Sequence, residues 1–355
     1  MTEKDSDSWE HAVELLRSAG SSTSSIDDAV AAGPDELALV VARHLTFPGS
    51  RYLQAADVWE RAGVGEATAR SLWRAMGFPD VPDEDRAFTD ADVEALRVAL
   101  RLFDQVDMSD VAMLQQARVM SQAVARIADS HQDVIAAMFS RPDPGSAAAE
   151  AVAIAGDALP ALDHLLTYMY RRHLAAATEQ RLLMGTEGGM GAINLSVGFA
   201  DMTGFTEVSE ALSAEELADT IEHFNAATAD VIAELGGRVV KTIGDEVMFT
   251  TPDPARGAEV AVALLDAVSP DGGTPELRVG VATGPVLARE GDVFGTPVNL
   301  ASRLVTIARP DSVLVDQASR DALVDDDRFE LSTLAPRRLK GLGRVGAYRL
   351  RAAGT

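Results

Sequence analysis

No cysteine occurs in the 355 residues. That excludes disulfides, thiolate nucleophiles and cysteine-ligated zinc, and leaves any metal to oxygen or imidazole ligands, a choice that favours hard cations such as Mg or Mn. Cations are scarce as well: 31 Lys and Arg against 55 Asp and Glu give a formal net charge of −24. General attraction to nucleic acid or anionic lipid is thereby opposed, and a phosphate-bearing ligand needs a local cluster of positive side chains. No apolar run reaches the roughly 18 to 20 residues of a membrane span, and the stretch 1–7 is polar and acidic, unlike a secretory leader. A cytoplasmic protein without a membrane partner is the expectation. What remains is an ordinary globular composition, 47% hydrophobic and 24% charged, in a chain long enough for two cores.

Residues 1–185 are poor in strand signals and rich in Ala, Leu, Arg and Glu at helical spacing. The periodicity predicts helices over 9–18, 34–45, 54–62, 66–76, 89–105, 109–139 and 146–184, with Pro160 kinking or breaking the last. Residues 54–77 have helix, glycine turn, helix spacing and resemble the helix-turn-helix of mercury-resistance-type transcription regulators. Its second helix offers only Arg70 and Arg74, in a segment (51–105) that is net acidic, whereas DNA affinity rests on phosphate contacts. A helical hairpin that serves protein contacts is the better reading, and a nucleic-acid partner is not expected. Five histidines, His11, His44, His131, His164 and His173, lie in this half, and such groups titrate near physiological pH. Met113, Met120 and Met138 share the helix expected over 109–139, as core or as the lining of a lipid pocket.

The glycines of 185–191 break the helical pattern, which places a linker at 186–191 and a second domain over 192–355. There strands are expected at 193–200, 238–243, 246–251, 277–283, 286–290, 312–315, 328–333 and 344–350. Helices are expected within 206–235 and at 254–268, 297–308 and 317–324. Helices alternating with partly hairpin-linked strands imply an α+β fold of the split β-α-β kind.

Within that domain, 238–250 reads as two short strands around Gly244-Asp245, so an Asp is held at a hairpin tip. An earlier apolar strand, 193–199, runs into Asp201 and Gly204-Phe205-Thr206. Two carboxylates at the ends of neighbouring strands can hold divalent cations. Further on, 292–303 reads Asp-Val-Phe-Gly-Thr-Pro-Val-Asn-Leu-Ala-Ser-Arg, in which Asn299 and Arg303 are four apart and share a helix face.

In this order and spacing, these stretches resemble the catalytic domain of class III nucleotide cyclases over about 192–350, including Leu339-Lys340-Gly341-Leu342-Gly343. The resemblance implies a ferredoxin-like catalytic domain, here preceded by an all-α domain. By the same resemblance Asp201 and Asp245 are the ligands of two Mg or Mn ions. Asn299 and Arg303 are the transition-state pair, Lys241 and Asp292 read the base as adenine, and Lys340 meets the phosphate tail. It further implies ATP as substrate, cyclic AMP as product, and a homodimer with shared sites, since the family assembles each site from two catalytic domains. The helical half resembles the regulatory N-terminal domain of acid-responsive bacterial cyclases, and the long helix expected from 146, which feeds directly into the glycines of 185–191, is the reason to expect that this half restrains the catalytic one. Diguanylate cyclases are set aside because Ile243 stands where they carry glycine. Two other classes compete: a transcription regulator that only senses nucleotide, and an inert cyclase-homology subunit.

Overall fold

Among the described residues of this computed structural model, named β-strands occur only after residue 191, the helical part before it carrying a single isolated bridge between Leu53 and Phe88. By internal contacts it separates into two compact units, Met1–Ala176 and Ala177–Thr355. The structure describes 23–32, 52–139, 160–179, 192–268, 276–339 and 343–354, with a few isolated positions elsewhere. The helices expected at 34–45 and over most of 9–18, the linker at 186–191, and Lys340 lie outside the described residues.

The first unit holds α1 (Thr23–Ala32), α2 (Ala55–Ala62), α3 (Glu66–Ala75), α4 (Asp90–Gln105) and α5 (Asp110–Phe139). Of the helix expected over 146–184, residues 160–179 are described and are helical, as α6. Helix α1 was not among the helices expected, and its Ile26 is 1% exposed. Gly63 ends α2 at φ 72°, the left-handed conformation that glycine adopts without strain. Thr89 caps α4, its N–H donating to Asp92 at 2.7 Å. Val58, Ala69, Leu72, Phe88, Val93, Leu96 and Met113 lie in the core, bordered by Trp73, whose ring is 5.1 Å from that of Phe88 at a 64° tilt. Met120, by contrast, is exposed.

The second unit runs β1 (Ala192–Met202), α7 (Phe205–Ala211), α8 (Ala214–Glu234), β2 (Arg238–Ile243), β3 (Glu246–Thr251), α9 (Pro254–Val268) and β4 (Leu277–Arg289). There follow β5 (Asp292–Phe294), α10 (Thr296–Ile307), β6 (Ser312–Val315), α11 (Gln317–Leu323), β7 (Phe329–Thr333), β8 (Arg337–Leu339), β9 (Gly343–Val345) and β10 (Tyr348–Ala352). The main sheet has the order β2-β3-β1-β4-β6-β10-β7, with β5 paired to β4. Each neighbouring pair among its first four strands is antiparallel, which leaves β1 parallel to β2 and β3 parallel to β4, so β1-α-β2 and β3-α-β4 are two interleaved split β-α-β units, the ferredoxin-like arrangement expected.

Alternation along β1 sorts the core into two layers. Ala200 and Met202 join α8 and α9 residues on one face, whereas Leu195, Val197 and Phe199 join Ala301, Leu304 and Val305 of α10 on the other. Gly280 fixes how closely α10 lies on the sheet. A Cβ there would fall 2.4 Å from the Val305 nitrogen and 2.6 Å from the Ala301 oxygen.

Two expectations need correction. The strands expected at 277–283 and 286–290 are one, β4, whose pairing with β1 continues through Asn194↔Pro285. The strand expected at 344–350 is two, β9 and β10, and β9 pairs with the unexpected β8. The helices expected within 206–235 are α7 and α8, parted by Leu212 and Ser213, and the Ser213 backbone N–H donates to Glu216 at 2.9 Å in a capping box.

Candidate active site

Asp201 and Asp245 come from separate segments, and the β1–β3 ladder places them side by side. Ile243 pairs with Glu246, which leaves Gly244 and Asp245 as a two-residue turn with Gly244 at φ 63°. Asp201 lies across from Glu246 in the next ladder, and the Met202 N–H donates to the Asp245 carbonyl at 3.1 Å. Burial pushes the Asp201 carboxyl above the usual carboxylate range, against the pull of Arg278, and the charge of Asp245 adds to the rise. Glu246 is pushed up to about 7, first by burial and then by the charges of Asp201 and Asp245. Three acidic groups thus crowd one corner of the sheet.

Does that corner suit a metal? Among the described residues no group of three or more His, Asp or Glu side chains is placed to cage an ion. Two hard carboxylates suit Mg or Mn, which take their remaining ligands from water and substrate phosphate. The donor set therefore fits.

Arg278 is a site residue that spacing did not reveal. It lies directly opposite Asp201 on β4, donating from Nε at 2.7 Å and from Nη2 at 2.5 Å to the same Oδ2. The signal is register across 77 positions, which requires knowing that β1 pairs with β4.

Lys241 and Asp292, 51 positions apart, meet with Nζ 2.5 Å from Oδ2. Two local devices aim them. Pairing of β2 with β3 slips between Val239 and Lys241, so Lys241 rather than Val240 lies across from Met248, and a bulge of this kind redirects the side chain that follows it. Asp292 follows the two-residue turn Glu290-Gly291, at φ 58° and 81°, which sets Asp292 opposite Arg289 at the start of β5. Its Oδ1 also accepts from the Val293 N–H at 2.8 Å.

Asn299 and Arg303 share the outer face of α10, and both are exposed. Among the described residues neither has a side-chain hydrogen bond or ion-pair partner. The structure thus brings together Asp201 with Asp245 and Lys241 with Asp292, and presents Asn299 and Arg303 to solvent.

The helix-turn-helix segment behaves differently. Arg70 is held by Glu66 at 2.9 Å and Asp83 at 2.5 Å, and Arg74 makes a bidentate pair with Asp80 at 2.9 and 2.6 Å. Both cations are thus paired with acidic side chains between 66 and 83. No described helix is long and apolar enough to cross a membrane.

Comparison with known proteins matches 191–352 to the model of the adenylate and guanylate cyclase catalytic domain and 7–177 to that of the adenylate cyclase regulatory domain. An adenylate cyclase of Streptomyces coelicolor is 40% identical over 301 residues, covering 84% of this chain and 78% of that protein. One of Glutamicibacter nicotianae is 32% identical over 324 residues, covering 86% and 80%. A protein of Mycobacterium tuberculosis named as a pH-sensitive adenylate cyclase is 32% identical over 340 residues, covering 91% and 85%.

Proposed function

The chain belongs to the adenylate cyclase family, with a regulatory domain ahead of the catalytic one, and from that premise we propose how its residues divide the work. The reaction is conversion of ATP to 3′,5′-cyclic AMP. The ribose 3′-oxygen forms a bond to the α-phosphorus, the bond to the β-phosphate bridge breaks, pyrophosphate leaves, and the hydroxyl proton passes to solvent. Mg or Mn ions held by Asp201 and Asp245 would neutralise the triphosphate and acidify the attacking hydroxyl.

Lys241 donates to adenine N1 and Asp292 accepts from the 6-amino group. Guanine presents the reverse pattern at these positions, so their charge-paired resting geometry favours ATP. Asn299 orients the ribose and Arg303 meets charge developing on the α-phosphate. Lys340 neutralises the phosphate tail. Because Asn299 and Arg303 are exposed and unpartnered, they suit the site of a second copy, which makes the enzyme a homodimer with two equivalent shared sites.

One observation carries the reading: the Lys241–Asp292 ion pair, assembled from a bulge and a turn with no other evident use. Incubation of the purified chain with ATP and Mn, followed by chromatographic separation of nucleotides, tests it. Cyclic AMP and pyrophosphate are expected, and failure to form cyclic AMP under any metal overturns it.

The regulatory half is read as a restraint. Its match to a regulatory-domain family and the pH-sensitive relative give the reason to test acid response. A chain beginning near residue 186 should be more active than the full chain. Equal or lower activity at every pH from about 5 to 8, where histidines titrate, rejects both restraint and acid sensing.

A further inference from the structure

We propose that Arg278 is an internal counter-ion that occupies Asp201 in the metal-free chain and must release the carboxylate before a divalent cation can use it. The inference rests on the reading of Asp201 as a metal ligand. Both guanidinium contacts fall on one oxygen, Oδ2, at 2.7 and 2.5 Å. The Asp201 side chain is 13% exposed and that of Arg278 is 31% exposed, so the pair is shielded well beyond an ordinary surface bridge. A carboxylate this buried needs a compensating cation, the more so with Asp245 and Glu246 beside it.

A divalent cation would bring the same kind of charge to the same carboxylate. Guanidinium and metal drawn to one carboxylate oppose each other, since like charges in a partly buried site repel strongly. They therefore compete. Arginine cannot escape the conflict by losing its proton, so once displaced it needs another anion. The polyphosphate of the incoming nucleotide arrives with the metal and offers one. Metal alone should bind weakly, metal with nucleotide well, and the two affinities should be reciprocally coupled.

The test measures Mn²⁺ binding to the full chain without nucleotide, through loss of the electron paramagnetic resonance signal of free Mn²⁺. Arg278→Met should bind Mn²⁺ about tenfold tighter than wild type, the order expected for removing one charge-assisted competitor. Arg278→Lys keeps the charge but loses the two-pronged contact, and should fall between. Unchanged or weaker binding in a folded Arg278→Met chain overturns the proposal. If that chain does not fold, Arg278→Lys decides by the same criterion. Adding Asp201→Asn to the Met variant separates the two readings: the gain should vanish, and if it persists the assignment of Asp201 as ligand is what fails.

Discussion

The two units of this chain treat their charges in opposite ways. In the helical unit the candidate recognition arginines are cancelled locally, Arg70 by Glu66 and Asp83 and Arg74 by Asp80. In the sheet unit, Arg303 stands alone on α10, while Asp201 and Lys241 are paired with groups that a ligand can displace or share, Arg278 and Asp292. Composition does not separate these cases; geometry does. A paired exposed arginine within a few residues of its partner is surface complementarity, worth little. A lone arginine above an otherwise satisfied core is an offer to something outside the chain.

The largest effect that can break this contrast concerns the base. If Lys241 and Asp292 are a reading pair and not a surface bridge, exchange to Lys241→Glu with Asp292→Ser should erode a preference for ATP over GTP of up to about 10⁴-fold, because unpaired buried donors penalise the wrong base. Equal turnover of the two nucleotides by the unmodified enzyme would place that pair with the ordinary bridges of the helical unit. Next in size are the single losses: Asp201→Ala, Asp245→Ala, Asn299→Ala and Arg303→Ala should each lower kcat by roughly 10²–10³. By contrast Arg70→Ala and Arg74→Ala should leave kcat within a few-fold in steady-state assays.

Smaller again is the scaffold. Gly280→Val drives a side chain into the α10 backbone and should cost about 1–3 kcal/mol by denaturant titration, the range for overpacking. It should lower activity through Asn299 and Arg303 without touching either. The smallest effect belongs to the helical unit. The hydrogen bond from Arg74 holds the Asp80 carboxyl below its ordinary range. A depressed carboxylate contributes stability above its unfolded pKa and loses it as pH falls through the folded value. The small difference in melting temperature between wild type and Asp80→Asn should therefore shrink as pH drops from 6 towards 3.

How much of this was legible depended on the range over which each signal acts. The Gly244-Asp245 tip, the shared face of Asn299 and Arg303, and the glycine-ended α2 are local, and their residue types state them outright. The continuity of β4 was misread because Gly284-Pro285 has the chemistry of a break, yet pairing with β1 carries the strand through it. Three-residue β5 is too short for any period, although it delivers Asp292. Arg278 could not be found at all without the register, since nothing in its neighbourhood marks it as different from any strand arginine.

The central claim is that each site takes its carboxylates from one copy and its Asn299 and Arg303 from another. Mixing an Asp245→Ala chain with an Arg303→Ala chain tests it most directly. Each is nearly inactive alone, but a mixed dimer collects both lesions in one site and leaves the other intact. With random assortment and free exchange about half the dimers are mixed, so cyclic AMP synthesis should recover to about a quarter of wild type. Activity no higher than in the separate variants, with mixed dimers confirmed by differently tagged chains, contradicts the shared site.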